Sequence, residues 1–198
     1  MKVQAVIFDL DGTLTQPMLD FDLIRSEMGL DSCSIGILEA MEQMSEDRRR
    51  QAQAVLDRHE QLAAIHSALN DGVHDLFEHL RREKIAIGLL TRNTRQNALH
   101  VAQQHNLSFD AIVDRSDGPA KPDGFGVLKL CEAFGVTPGE TLVVGDFLHD
   151  LVSARNAGAP AVLMKTHPKA DEFEHYANYS INRLDELIDL IQQLETTH

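Results

Sequence analysis

Apolar residues along this chain change their spacing twice. Val3 to Phe8 is a compact apolar run that stops at Asp9-Leu10-Asp11-Gly12-Thr13, which predicts a buried strand ending at charged residues. From Met18 to Leu69 the pattern is helical. Leu23, Ile24 and Met28, then Ile37, Leu38 and Met41, predict two short amphipathic helices. Ser45 is a plausible cap for a longer one, with Val55, Leu62, Ile65 and Leu69 at helical spacing. Asn70-Asp71-Gly72 then signals a turn.

Beyond that turn the chain alternates. A helix near Val73–Lys84 precedes a strand at Ile85–Leu90, and Asn93 or Thr94 can cap a helix running to about His105. A short strand at Ala111–Val113, a helix over Gly124–Phe134 and a strand at Thr141–Val144 follow. A helix from Leu148 to Ala157 is closed by Gly158, Pro160–Met164 forms one more strand, and Leu184–Leu194 a terminal helix. Such alternation predicts an α/β fold with a doubly wound parallel sheet. The helical stretch interrupts it as an insert, with Gln16-Pro17 at one edge and Asn70-Asp71-Gly72 at the other. The expected organisation is an α/β core of residues 1–16 and 71–198 carrying a small helical cap of residues 17–70. Two linkers allow such a lobe to hinge as a lid.

Composition narrows this picture. The chain has 198 residues, 43% of them hydrophobic, enough for one domain with a small second lobe. Trp is absent, so the core must be mainly aliphatic. A net charge of -13 disfavours nucleic acid and anionic membrane as partners. No apolar run reaches the roughly 20 residues of a membrane span, and no signal peptide is evident, so a cytoplasmic location is expected. Cys33 and Cys131 lack metal-ligand spacing and read as reduced thiols, Cys131 in the core.

In open parallel sheets, ligands bind beyond the carboxyl ends of the strands. Asp9 and Asp11 follow the first strand, Thr91, Arg92 and Asn93 the second, and Asp146 the fourth, with Asp150 four residues on; Lys121-Pro122 lies after the third. Asp9 and Asp11, two apart, point the same way and repel each other, so a cation is their natural counterpart. Hard oxygen donors, with Asp146 as a third, favour Mg²⁺ over zinc. Gly12 permits a sharp turn whose N–H groups can hold phosphate oxygens. Taken singly, each of these has a plain reading: Asp9 and Asp11 as a strand end, Asp146 and Asp150 as helix N-terminal acids, Thr91 as a cap, Lys121 as a solvated loop lysine. Their order, each after its own strand, argues against coincidence.

That ordered set resembles the haloacid dehalogenase-like superfamily of phosphatases. Asp9-Leu10-Asp11-Gly12-Thr13 is similar to its first motif, Leu90-Thr91-Arg92-Asn93 to its second, Lys121-Pro122 to its third, and Gly145-Asp146 with Asp150 to its fourth. The insert lies where the C1-type cap of phosphoglycolate phosphatase-like members lies. The resemblance implies that Asp9 attacks phosphorus and becomes phosphorylated, and that Asp11 serves as acid and then base. It further implies that Gly12, Thr91, Arg92, Asn93 and Lys121 hold the phosphoryl group. Mg²⁺ would be bound by Asp9, Asp11 (through its carbonyl), Asp146 and Asp150, and the partner would be a small phosphorylated metabolite.

Other polar features read more plainly. Arg48-Arg49-Arg50 suits a solvated helix face, His59 and His66 suit a surface, and His149 borders the fourth motif. Arg25 is the cap's candidate for substrate contact. The alternatives to a phosphatase are a phosphomutase of the same superfamily and a non-catalytic phospho-acceptor or binding protein. A receiver domain shares the sheet but not the helical insert. No lysine falls between Lys2 and Lys84, which argues against the cap-lysine Schiff base of phosphonate hydrolysis.

Overall fold

The computed structural model describes residues 1–30 and 35–196, so the expectation for Cys33 lies outside the described residues. Six strands form one sheet: β1 (Ala5–Phe8), β2 (Ala86–Leu90), β3 (Ala111–Val113), β4 (Thr141–Gly145), β5 (Ala161–Met164) and β6 (Tyr179–Ile181). They pair in the order β3-β2-β1-β4-β5-β6, every pair parallel. β1 is central, with Phe8 level with Leu89 on one side and Val144 on the other.

Helices wind on both faces. They are α4 (Val73–Arg82), α5 (Arg95–Gln104), α6 (Phe125–Phe134), α7 (Leu148–Ala157), the short α8 (Ala170–Phe173) and α9 (Glu186–Thr196). Strand alternation sends neighbouring side chains of β1 to opposite faces. Ile7 joins Val143 and Leu163 in a cluster with Leu130 of α6 and Leu151 of α7. Phe8 points the other way, its ring 5.6 Å from Phe77 of α4. Cys131 is buried in the first of these layers, as expected. Two caps are those the sequence suggests: the Thr94 side chain accepts from the Asn97 N–H, and Gly158 closes α7 in the left-handed conformation; Ser45 stands at the N-cap of the helix that begins at Glu46, but its side chain makes no capping hydrogen bond.

The chain divides into two compact units, residues 1–17 with 67–198, and residues 18–66. These boundaries fall slightly inside the edges read from the sequence because Ala68, Leu69 and Asn70 hydrogen-bond with the first loop and Ser67 with His105 at the end of α5. Gln16 N–H donates to the Ala68 carbonyl at 2.8 Å and Asn70 N–H to the Leu14 carbonyl at 2.9 Å.

The second unit contains α1 (Phe21–Glu27), α2 (Ile37–Glu42) and α3 (Glu46–Ile65). Its core is small: Ile24, Met28, Ile37 and Met41 pack on Ala52 and Leu56 of α3. The buried residues of α3 are Ala52, Leu56, Glu60, Ala63 and Ala64; of the expected positions Val55 packs half-buried against this core, while Leu62 and Ile65 are exposed. Leu69 lies past the end of α3, where Thr15 and Leu69 form an antiparallel bridge. No helix of the described residues is long and apolar enough to cross a membrane.

Candidate active site

Parallel pairing puts the carboxyl ends of all strands on one edge, and the polar residues that follow them meet there. Asp9 leaves β1 with its N–H bonded to the Val144 carbonyl of β4 at 2.9 Å. Lys121 reaches in from the β3–α6 loop and is almost fully buried. Its ammonium donates to Asp9 Oδ1 at 2.5 Å, to Asp150 Oδ1 at 2.5 Å and to the Leu90 carbonyl at 2.8 Å. Asp150, in the first turn of α7, also accepts from the Phe147 N–H through Oδ2. Asp146 Oδ1 accepts from the hydroxyl of the buried Thr13 at 3.2 Å. Asp11 Oδ2 accepts from the Asn93 side chain at 3.0 Å. The Thr91 hydroxyl oxygen accepts from the Asn93 N–H at 3.0 Å, so its own proton is free to be donated elsewhere.

Two glycines make this density of charge possible. Gly12 has φ +89°, and a Cβ there would run into the Asp146 carboxylate. A Cβ on Gly145 would collide with Asp150.

Burial pushes the Asp9 carboxyl up to about 7; the charges of Asp150 and Asp11 push the same way, and Lys121 pulls against them. Burial likewise lifts Asp146 to about 8, with Asp150 and Asp9 adding repulsion. Burial raises Asp11 against the pull of the Asn93 hydrogen bond. Burial works to lower the Lys121 ammonium, but Asp150 and Asp9 outweigh it and hold it above its ordinary value.

One ammonium does not neutralise three close carboxylates. Oxygens of Asp9, Asp146 and Asp150 all lie within 4.8 Å of one another, so the cluster can hold a metal ion. Burial first and the neighbouring carboxylates second lift Asp9 and Asp146, and a bound cation would favour their charged forms. An all-oxygen donor set suits a hard cation.

The remaining expected residues are placed as follows. The Arg92 guanidinium donates to the Lys121 carbonyl, bracing the β3–α6 loop. Arg25 lies in α1, where its guanidinium donates to the Ile35 carbonyl. Arg49 forks onto the Met41 and Glu42 carbonyls at 2.9 and 2.7 Å, capping the end of α2, while Arg48 reaches the Gly29 carbonyl and Arg50 pairs with Asp47. His59 lies 3.1 Å from Glu27 within the same unit. The His149 ring stands edge-on to Phe147.

Three contributors escaped sequence reasoning. Asn70 donates to the carbonyls of Gly12, Thr13 and Thr15, yet its sequence context reads only as a turn. Thr166 donates to the Gly12 carbonyl at 2.6 Å; its place just after β5, at a strand's carboxyl end, was the available signal. Asn97 donates to the Asn93 side-chain oxygen at 2.9 Å, one helical turn away.

The haloacid dehalogenase-like hydrolase family matches residues 3–158 of the chain. An uncharacterized hydrolase of Saccharomyces cerevisiae is 30% identical over 97% of this chain and 92% of its own length. Phosphoglycolate phosphatase of Chromobacterium violaceum is 27% identical over 96% of this chain and 97% of its own. Among solved structures, a hydrolase from Pseudomonas syringae matches with TM-score 0.82 at 20% identity, across 96% of this chain and 98% of that one, a likeness of fold.

Proposed function

The chain belongs to the haloacid dehalogenase-like hydrolase family, and from that premise we propose that it is a Mg²⁺-dependent phosphatase of a small phosphorylated metabolite, working through an aspartyl phosphate on Asp9. The observation that carries this reading is the convergence of Asp9, Asp146 and Asp150 on Lys121, with Asp11 beside Asn93.

In the first step an Asp9 carboxylate oxygen bonds to phosphorus while the bond from phosphorus to the leaving oxygen breaks. Asp11 delivers its proton to that oxygen. Its upward shift by burial favours the protonated form this step requires. Asn93 holds Asp11 Oδ2, which orients the carboxyl and leaves Oδ1 to carry the proton. In the second step water attacks phosphorus, Asp11 takes its proton, and Asp9 is released with orthophosphate. Splitting the displacement in two lowers each barrier.

Lys121 and the Thr91 hydroxyl would meet the phosphoryl oxygens, and the turn at Gly12 would add main-chain donors. Arg92 holds the loop that carries Lys121. Mg²⁺, bound by Asp9, Asp146, Asp150 and the Asp11 carbonyl, would offset the repulsion between carboxylate and phosphate and stabilise transition-state charge.

The test is phosphate release from a panel of phosphomonoesters, with and without Mg²⁺. Phosphoglycolate comes first, because the Chromobacterium relative is named for it. Expected is Mg²⁺-dependent free phosphate. Isomerised sugar phosphate without free phosphate would make the protein a mutase, and no turnover of any ester would end the reading.

A further inference from the structure

Asn70 is half-buried, four residues past the point where the chain leaves the helical unit. Its side-chain nitrogen donates to the Thr13 carbonyl at 2.8 Å, the Thr15 carbonyl at 3.0 Å and the Gly12 carbonyl at 3.1 Å. Two N–H hydrogens serve three acceptors, so one hydrogen is shared. The Asn70 main chain joins in, its N–H on the Leu14 carbonyl. A single residue thus holds most of the turn that follows the nucleophile strand.

We propose that Asn70 is a positioning residue of the phosphoryl-transfer site: by gripping the Gly12–Thr15 turn it sets the placement of Asp11 and Asp146. The proposal rests on the reading of Asp9 and Asp11 as the reacting pair. Asp11 immediately precedes Gly12, the first gripped residue. On the Asp146 side the link runs through Thr13, whose carbonyl takes the Asn70 hydrogen bond and whose hydroxyl donates to Asp146. Gly12 adds a steric constraint, because its Cα lies so close to the Asp146 carboxylate that no Cβ fits between them. A peptide unit is planar, so fixing the Gly12 carbonyl fixes the Thr13 N–H on its opposite side. Thr166 fastens the same Gly12 carbonyl from the β5–α8 loop. The turn is therefore held from two parts of the chain, and Asn70 supplies three of the four side-chain contacts to its carbonyls.

Asn70→Asp preserves size and turn preference but replaces the donor amide with an acceptor facing three carbonyls. With phosphoglycolate, or whichever ester the parent hydrolyses, kcat is expected to fall about 10–100-fold with KM little changed, the scale of losing an outer-shell support. The Gly12 and Thr13 amide ¹⁵N–¹H resonances should move, while those of β6 stay in place. Thr166→Val removes one contact of the four and should produce the same signature at smaller size. It carries the test if Asn70→Asp does not fold. Parental kcat in a folded Asn70→Asp protein would overturn the proposal. If the parent protein releases no phosphate, the reacting-pair reading fails by itself. The amide resonances then decide: movement upholds the grip on the turn, and unmoved Gly12 and Thr13 signals refute it.

Discussion

In the α/β unit a cluster of opposite charges is buried together, whereas in the helical unit the arginine triplet Arg48-Arg49-Arg50 lies at the surface. Lys121, Asp146 and Asp150 are 4%, 5% and 3% exposed. Arg48 and Arg49 instead lie across the outside of their unit and spend their donors on main-chain carbonyls at the ends of helices. The first arrangement is electrostatically unfavourable without a cation: burial and mutual repulsion lift two of its carboxyls far above their ordinary value. Strongly shifted, clustered carboxyls of this kind concentrate at functional sites. The second arrangement satisfies helix termini that would otherwise lack partners. The helical unit is also short of core. Six of the eight large exposed hydrophobic residues among those described, including Phe21, Leu23, Leu62 and Ile65, belong to it. A unit of that size cannot bury all its apolar surface.

This contrast can be broken at several points. The largest effect is expected from Asp9→Asn, which should lower kcat by at least about 10⁴-fold while the protein stays folded, as for loss of other catalytic nucleophiles. Steady-state phosphate release and a thermal melt read both, and an active Asp9→Asn enzyme would exclude the aspartyl phosphate. Asp11→Asn should cost about 10²–10⁴-fold, the range of general acid–base catalysis, with metal binding partly retained by calorimetry. An unchanged rate would remove Asp11 from the proton transfers.

Lys121→Ala should strip the cluster of its only buried cation and cost about 3–5 kcal/mol of metal-free stability at pH 8, measured by denaturant unfolding. A variant as stable as the parent would mean that the ion pairs add nothing.

The pH dependence follows from the raised carboxyls. Asp9 and Asp146 ordinarily titrate at 3.8 but reach about 7 and about 8 when folded. In between, the folded state keeps protons that the unfolded state releases. Their stabilisation is complete below 3.8 and is lost as pH rises through the folded values. The melting temperature in EDTA should therefore fall between about pH 5 and 9, and Mg²⁺ should restore more at the upper end, because its ligands must be deprotonated. A flat EDTA profile would contradict the raised values.

The smallest effect belongs to the helical unit. Arg49→Ala should cost about 1 kcal/mol by loss of charged hydrogen bonds to the α2 terminus, leaving kcat unaltered. A large fall in kcat would show that this arginine does more than cap a helix.

Much of this molecule was legible in its sequence because the signals are local. An apolar run ending in Asp9-Leu10-Asp11-Gly12-Thr13 specifies a strand and its polar exit, and Gly158 marks the end of α7. β6 was not legible: Tyr179–Ile181 is three residues long, one of them exposed, and takes its place only by pairing with β5. The buried face of α3 was legible only in part: Val55 packs against the small core, but Leu62 and Ile65 are exposed while Ala63 and Ala64 are buried, a choice that tertiary packing makes.

The residue types at the strand ends, and their order, were therefore determined by sequence alone. Which of them touch was decided by the sheet, whose register brings residues 112 positions apart, Lys121 and Asp9, to 2.5 Å. The hold of Asn70 on the turn after β1 lies wholly on that second side. An asparagine in a turn looks the same whether it faces water or three carbonyls, and only the folded chain supplies the acceptors.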